Sequence, residues 1–126
     1  MAFYHYSGAL MDELSLESIV KSDEDVLIAA LLEADEPVDW YVREGTPVPN
    51  EQTWKQLAFR AQIVTSMTES ARDYLGDLEY VSASYKFGQV FLFPTGVQKV
   101  LCLVTKSGKQ KIGLIENIQQ RITKME

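Results

Sequence analysis

Few side chains in this sequence are of types that carry out reactions. His5 is the only histidine and Cys102 the only cysteine in 126 residues. A Ser-His-Asp or Cys-His relay needs an imidazole held beside its nucleophile. His5 instead lies in an irregular aromatic stretch, Met1–Leu10, with Phe3, Tyr4 and Tyr6. Cys102 stands among Leu101, Leu103 and Val104, which reads as a buried, inert thiol, since reactive thiols occupy exposed, electropositive surroundings. One His and one Cys exclude a soft-ligand zinc site within a single chain. Asp23-Glu24-Asp25, and Asp35, Glu36 and Asp39, supply oxygen ligands, but neither group has the alternating ligands, central Gly and terminal Glu of a calcium loop. Lys106-Ser107-Gly108-Lys109 has phosphate-loop residue types without the G-x-x-x-x-G-K-[ST] frame. Gly113, near the start of the last helix, fits close backbone packing better than phosphate binding. The expectation is a protein that binds rather than reacts, with no catalytic residue, metal or cofactor.

Composition narrows the classes that remain. At 46% hydrophobic and a formal net charge of −6, the chain is too apolar and too weakly charged for disorder, and long enough for one core. Its longest apolar runs, Val26–Leu32 and Val100–Val104, fall far short of the roughly 20 residues of a membrane span, so no integral membrane contact is expected. The acidic balance argues against nucleic acid as a partner, because phosphate neutralisation needs surplus Lys and Arg. A lone cysteine allows no internal disulfide, and no basic run followed by an apolar one opens the chain, so the expected location is the cytoplasm. Charge is divided along the chain: residues 1–80 hold sixteen acids against five bases, residues 81–126 two acids against seven bases. A chain so polarised can dock head to tail or show an acidic face to a basic partner. Both halves can equally mix on one folded surface.

The elements that must carry a binding surface follow from periodicity. Leu14, Leu16, Ile19 and Val20 suggest a short amphipathic helix. Ser22, followed by Asp23, Glu24 and Asp25, has the form of a helix start, a hydroxyl cap and then acids against the positive end of the dipole. With Val26, Leu27, Ala30 and Leu31 behind it, this predicts a helix over about 23–34. Beyond Pro37, Val38, Trp40 and Val42 alternate with Asp39, Tyr41 and Arg43 as in a strand. Glu44-Gly45 turns the chain, and Pro47 and Pro49 leave Thr46–Val48 as at most a short edge strand. Asn50 caps a long helix predicted over about 51–75, its stripe formed by Trp54, Leu57, Ala58, Ala61, Val64, Met67, Ala71, Tyr74 and Leu75, with Gly76 its stop. Phe59 and Ile63 lie off that stripe, either facing a second neighbour or flanking a wide core face. Leu78–Phe87 alternates as a strand, with Val81, Ala83, Tyr85 and Phe87 on one side and Leu78, Tyr80, Ser82 and Ser84 on the other. Gln89–Phe93 and Lys99–Thr105 are apolar as covered strands are, and Ile115, Ile118, Ile122 and Met125 predict a closing helix over about 111–125.

The second half of the chain, Leu78 to Ile122, resembles the roadblock-type dynein light chain family. The resemblance rests on Phe87-Gly88, on Val90–Pro94 with Thr95-Gly96, on Val100-Leu101-Cys102-Leu103-Val104, and on Ile112-Gly113-Leu114-Ile115. It extends from Asp23 to Met125, with Pro47 and Pro49 standing where the family has a longer regular strand. Residues 1–22 would then be an N-terminal extension, an irregular arm plus a short helix, ahead of a roadblock-like domain over 23–126. The resemblance implies an α+β fold: a five-stranded antiparallel sheet with the long helix on one face and the first and last helices on the other. It also implies a homodimer in which the strand after the long helix pairs with its copy. That places Leu78–Tyr85, with Tyr80, Ser82 and Ser84, and the Phe59/Ile63 side of the long helix at the seam. An unpaired edge strand is in any case a template for another strand.

The function this implies is a non-enzymatic homodimeric scaffold or regulator that binds a small Ras-like GTPase or a motor or signalling complex. The surplus of acids in the first 80 residues favours a different class, a small acidic binding protein such as a secretion chaperone or immunity protein. A third reading is a ligand-sensing module with a pocket lined by Trp40, Tyr80 and Phe91.

Overall fold

The computed structural model describes residues 15–34, 36–107 and 111–125. The arm expected at Met1–Leu10, with His5, lies outside these residues, as does part of the Lys106–Lys109 stretch. In chain order the elements are α1 (Leu16–Ser22), β1 (Val26–Glu33), β2 (Glu36–Val42), α2 (Glu51–Glu69), α3 (Arg72–Leu75), β3 (Val81–Tyr85), β4 (Gly88–Gly96), β5 (Lys99–Thr105) and α4 (Ile112–Met125). The strands form one antiparallel sheet in the order β2-β1-β5-β4-β3.

Alternation along the strands divides the core in two. Phe91, Phe93, Leu101 and Leu103 point to one face, where Leu16, Ile19 and Val20 of α1 and Leu114 and Ile118 of α4 cover them. Ile28, Ala30, Leu32, Leu92, Val100 and Cys102 point to the other, under Trp54, Ala58 and Ala61 of α2. The layering is the α+β arrangement expected, one long helix opposite the first and last.

Two of its parts are not the ones expected. Val26–Glu33 is a central strand and not a helix, and Thr46–Val48 is not a strand. A short apolar run without polar breaks suits a buried helix or a strand covered on both faces. Here β1 lies between β2 and β5, so Ala29 and Ala30 are both fully buried, on opposite faces. The acids before it do not cap a helix. The Asp23 carboxylate accepts from the Asp25 N–H, 2.9 Å, and shapes a turn into β1. Pro47 and Pro49 supply no N–H for a ladder. The helix expected ahead of residue 23 forms as α1, with Ser15 as its cap, and its three buried residues belong to the core. A boundary after residue 22 therefore runs through a shared core.

Arg43 ties the end of α1 to the sheet through polar contacts. The Arg43 guanidinium donates to the carbonyls of Val20, of Asp23 at 2.9 Å and of Val26 at 2.9 Å. Carbonyls at a helix end have no partner within the helix, and Arg43 provides for them from the end of β2.

α2 begins as predicted, with Asn50 accepting from the Thr53 N–H at 2.8 Å. It ends at Glu69, short of residue 75. The hydroxyls of Thr68 and Ser70 bond back to Val64 and Met67 carbonyls, which favours a bend over another turn. Arg72–Leu75 then forms a separate turn of helix, and Gly76, with φ +86°, ends it as expected.

Gly88 is required for a different reason. A Cβ there would stand 2.9 Å from the Thr105 carbonyl oxygen, in backbone that cannot swing aside. Gly88→Ala is expected to lower stability by about 1–3 kcal/mol in urea denaturation, the cost of an overpacked site. At Gly113, by contrast, an added Cβ would meet nothing within 4 Å, so close packing does not explain that glycine.

Candidate interaction face

An uncovered apolar surface lies where α2 meets β3. Along α2 only a narrow stripe is buried: Trp54, Ala58, Ala61 and Thr65. The small Ala58 and Ala61 let the helix lie close to the sheet, but they cover little width. Leu57 and Val64, expected in the core, remain 45% and 38% exposed, and Met67 is 68% exposed. Between this flank of α2 and the edge of the sheet runs an apolar groove of about 510 Å³. Leu57 and Val64 form one wall. Ile28, Val81, Ala83, Val90, Leu92 and Val104 are among its floor, and Pro47 and Pro49 also line it. The two prolines thus border the groove.

β3 bounds the groove and is an open edge of the sheet. Among the described residues it pairs with β4 alone, in unbroken register from Val81↔Leu92 to Tyr85↔Gly88. Its sequence, Val-Ser-Ala-Ser-Tyr, holds no charge and no proline. The opposite edge, β2, differs on each count: it carries Glu36, Pro37 and Asp39, and its register with β1 shifts between Leu31 and Leu32. Charge, proline and irregularity are the usual guards against strand addition. β2 has them and β3 does not.

The residues expected at a seam fall into two groups. Tyr80, Ser82 and Ser84 lie on or beside the open edge, with Ser82 and Ser84 exposed and Tyr80 tilted against Phe93 at 5.9 Å between ring centroids. Phe59 lies elsewhere, in a hollow with Glu36, Glu51, Gln52, Lys55 and Gln56 on the other flank of α2. Ile63, one turn further, is 43% exposed on the same outward stripe. Leu57 and Val64, not Phe59, face the β3 groove. The available signal was the width of the apolar stripe on α2, broader than one sheet face can cover.

Trp40, Tyr80 and Phe91 do not line a common pocket. Trp40 packs on the α2 side of the sheet and Phe91 on the α1/α4 side, as alternation along strands requires. Among the described residues no group of three His, Cys, Asp or Glu gathers to hold a metal ion, and no helix is long and apolar enough to cross a membrane.

Cys102 lies in the groove floor, buried. Burial pushes its thiol up to about 12 from the ordinary 9.0, because the thiolate would lose its hydration. The folded state then holds a proton that the unfolded state releases above pH 9. Stability from this group is complete below pH 9 and is lost as pH rises toward 12. Denaturation between pH 9 and 10.5 should show an extra decline of about 1.4 kcal/mol per pH unit at its steepest, absent from Cys102→Ala.

A scan against family models finds no match to the sequence, and a search of curated proteins finds none. The fold does match solved structures. A roadblock/LC7 domain from Streptomyces avermitilis superposes with a TM-score of 0.68 at 15% identity, over 87% of this chain and 90% of that one. The gliding protein MglB from Thermus thermophilus gives 0.71 at 15% identity, over 96% and 93%. A structure described as MglB with tetrameric arrangement gives 0.72 at 14% identity, over 98% and 91%.

Proposed function

We propose that this chain, which has the roadblock/LC7 fold, is a non-enzymatic homodimeric scaffold or regulator. Its dimer forms by pairing β3 with β3 of a second copy, which also closes the apolar groove beside α2. One observation carries this reading: the unguarded edge strand and the uncovered apolar groove share Val81 and Ala83. A single partner strand therefore answers both defects, the unpaired backbone groups and the exposed apolar floor. A second copy brings a self-complementary edge and a second Leu57/Val64 wall, as a two-fold interface requires.

The partner of the dimer is a small Ras-like GTPase or a motor or signalling assembly in the cytoplasm, as the roadblock resemblance implies. Two of the similar structures are MglB, one a gliding protein and one in a tetrameric arrangement, which supports a role in assemblies. The test has two stages. Sedimentation velocity at micromolar concentration should give twice the chain mass of 14.3 kDa. The dimer should then retain a small GTPase from a panel of purified candidates, in one nucleotide state over the other. A strictly monomeric protein would remove the basis of the reading, and a dimer indifferent to every GTPase would leave the scaffold without this partner.

A further inference from the structure

We infer the register of the dimer: the two-fold axis passes midway between Ala83 and its copy, so that Val81 opposes the partner's Tyr85 and Ser82 opposes the partner's Ser84. This rests on the dimer reading above and goes further by fixing which atoms meet.

The backbone phase comes first. β3 and β4 are joined by the two residues Lys86-Phe87, and Tyr85↔Gly88 is the closing pair. In a two-residue hairpin that pair must exchange both hydrogen bonds, since the other antiparallel pattern would need Phe87 to bond its own neighbour. Bonded and non-bonded pairs alternate, so Ala83 and Val81 also direct their N–H and C=O groups toward β4. Ser82 and Ser84 direct theirs outward. These are the groups a second strand must meet.

Symmetry limits the choices next. The axis stands perpendicular to the sheet and keeps each side chain on its own face, so one residue must lie directly opposite its own copy. Centring on Ala83 uses all five strand residues. Centring on Ser84 would oppose Ser82 to the partner's Lys86 and Val81 to the partner's Phe87, turn residues bent into β4. Centring on Ser82 would set Tyr85 against the partner's Glu79, which lies outside the strand. Side-chain size agrees. The central pair is of the non-bonded kind, where Cα atoms approach to about 4.5 Å, and alanine is the smallest side chain in β3. Val81, Ala83 and Tyr85 all line the groove. The exposed Tyr85 ring therefore crosses onto the partner's Val81, an aromatic against a β-branched residue, and each copy contributes a ring to the other's groove. Ser82 and the partner's Ser84 place their hydroxyls together on the opposite face.

Mild oxidation of cysteine variants tests this. Ala83→Cys should form a covalent dimer and Ser82→Cys alone should form none, since the central Cα separation suits a disulfide and that between the two copies of Ser82 does not. Wild type, whose single cysteine is buried, should not cross-link. An equimolar mixture of Ser82→Cys and Ser84→Cys should cross-link where neither does alone, which tests the same register without touching Ala83. Sedimentation under reducing conditions separates the two layers of inference. A dimer in which Ser82→Cys cross-links with itself, or in which Ala83→Cys and the mixture both stay uncrosslinked, overturns the register alone. A monomer overturns the dimer reading and the register with it.

Discussion

Val64→Asp should separate the dimer into folded monomers. In a lone subunit Val64 is 38% exposed on the groove wall, so an aspartate there keeps most of its hydration and costs about 1 kcal/mol or less of folding stability. In the proposed dimer the same position is closed off beside the second copy. An unpaired buried charge costs about 3 kcal/mol or more, and symmetry applies it twice. The sum, about 6 kcal/mol, corresponds to a dissociation constant raised on the order of 10⁴-fold. Circular dichroism should be unchanged while sedimentation mass halves. Ile63→Asp is the informative neighbour. It lies about 100° around the helix from Val64, on the outward stripe with Phe59, and should weaken the dimer far less. If Ile63→Asp dissociates it and Val64→Asp does not, the seam runs along the Phe59 flank instead.

Arg43→Met should be strongly destabilising although it lies outside the apolar core. Three carbonyls, of Val20, Asp23 and Val26, accept from this one guanidinium. Without it the Val20, Asp23 and Val26 carbonyls all lose a charged donor, and the Asp23 carbonyl keeps the Val26 N–H at 3.1 Å. Hydrogen bonds from a charged group contribute about 1.5–3 kcal/mol each, and partial access to water replaces some of them. A net loss of about 3–5 kcal/mol is expected, lowering Tm on the order of 10 °C in a chain of this size. Arg43→Lys should recover only part. An ammonium has three donors but not a planar fork that reaches carbonyls on both sides. Full recovery by lysine would mean that charge, not geometry, is what the position supplies.

Arg43 also shows where sequence reading stops. Its period-two spacing from Tyr41 puts it on the same strand face, but nothing in the spacing discloses that residues 17 to 23 positions away supply its acceptors. The same limit applies to β1. Ser-Asp-Glu-Asp followed by an alanine-containing apolar run satisfies local helix rules, and only the neighbours β2 and β5 decide for a strand. Local patterns served well where an element's own chemistry decides its shape. Asn50 starts α2, Gly76 ends α3, and the Ile115–Ile122 spacing marks α4. The layering of the sheet is what the roadblock resemblance implies, and it holds although Val26–Glu33 and not Thr46–Val48 is among the strands. Ser82, Ser84 and Tyr80, which the roadblock resemblance puts at a seam, lie on or beside the open edge, and alternation fixes only which residues share a strand face. Leu57 and Val64 read as core from the sequence, because periodicity reports how wide an apolar stripe is but not how much of it one chain can cover.

Amide hydrogen exchange along β3 tests the central proposal most directly. In the proposed dimer the Ser82 and Ser84 amides bond to the second copy, so they should be protected to a degree comparable with Ala83 and Tyr85. That protection should fade on dilution while the other two, held by β4, keep theirs. Rapid exchange of Ser82 and Ser84 at every concentration, beside slow exchange of Ala83 and Tyr85, would mean that the edge stays open in solution and would contradict the account.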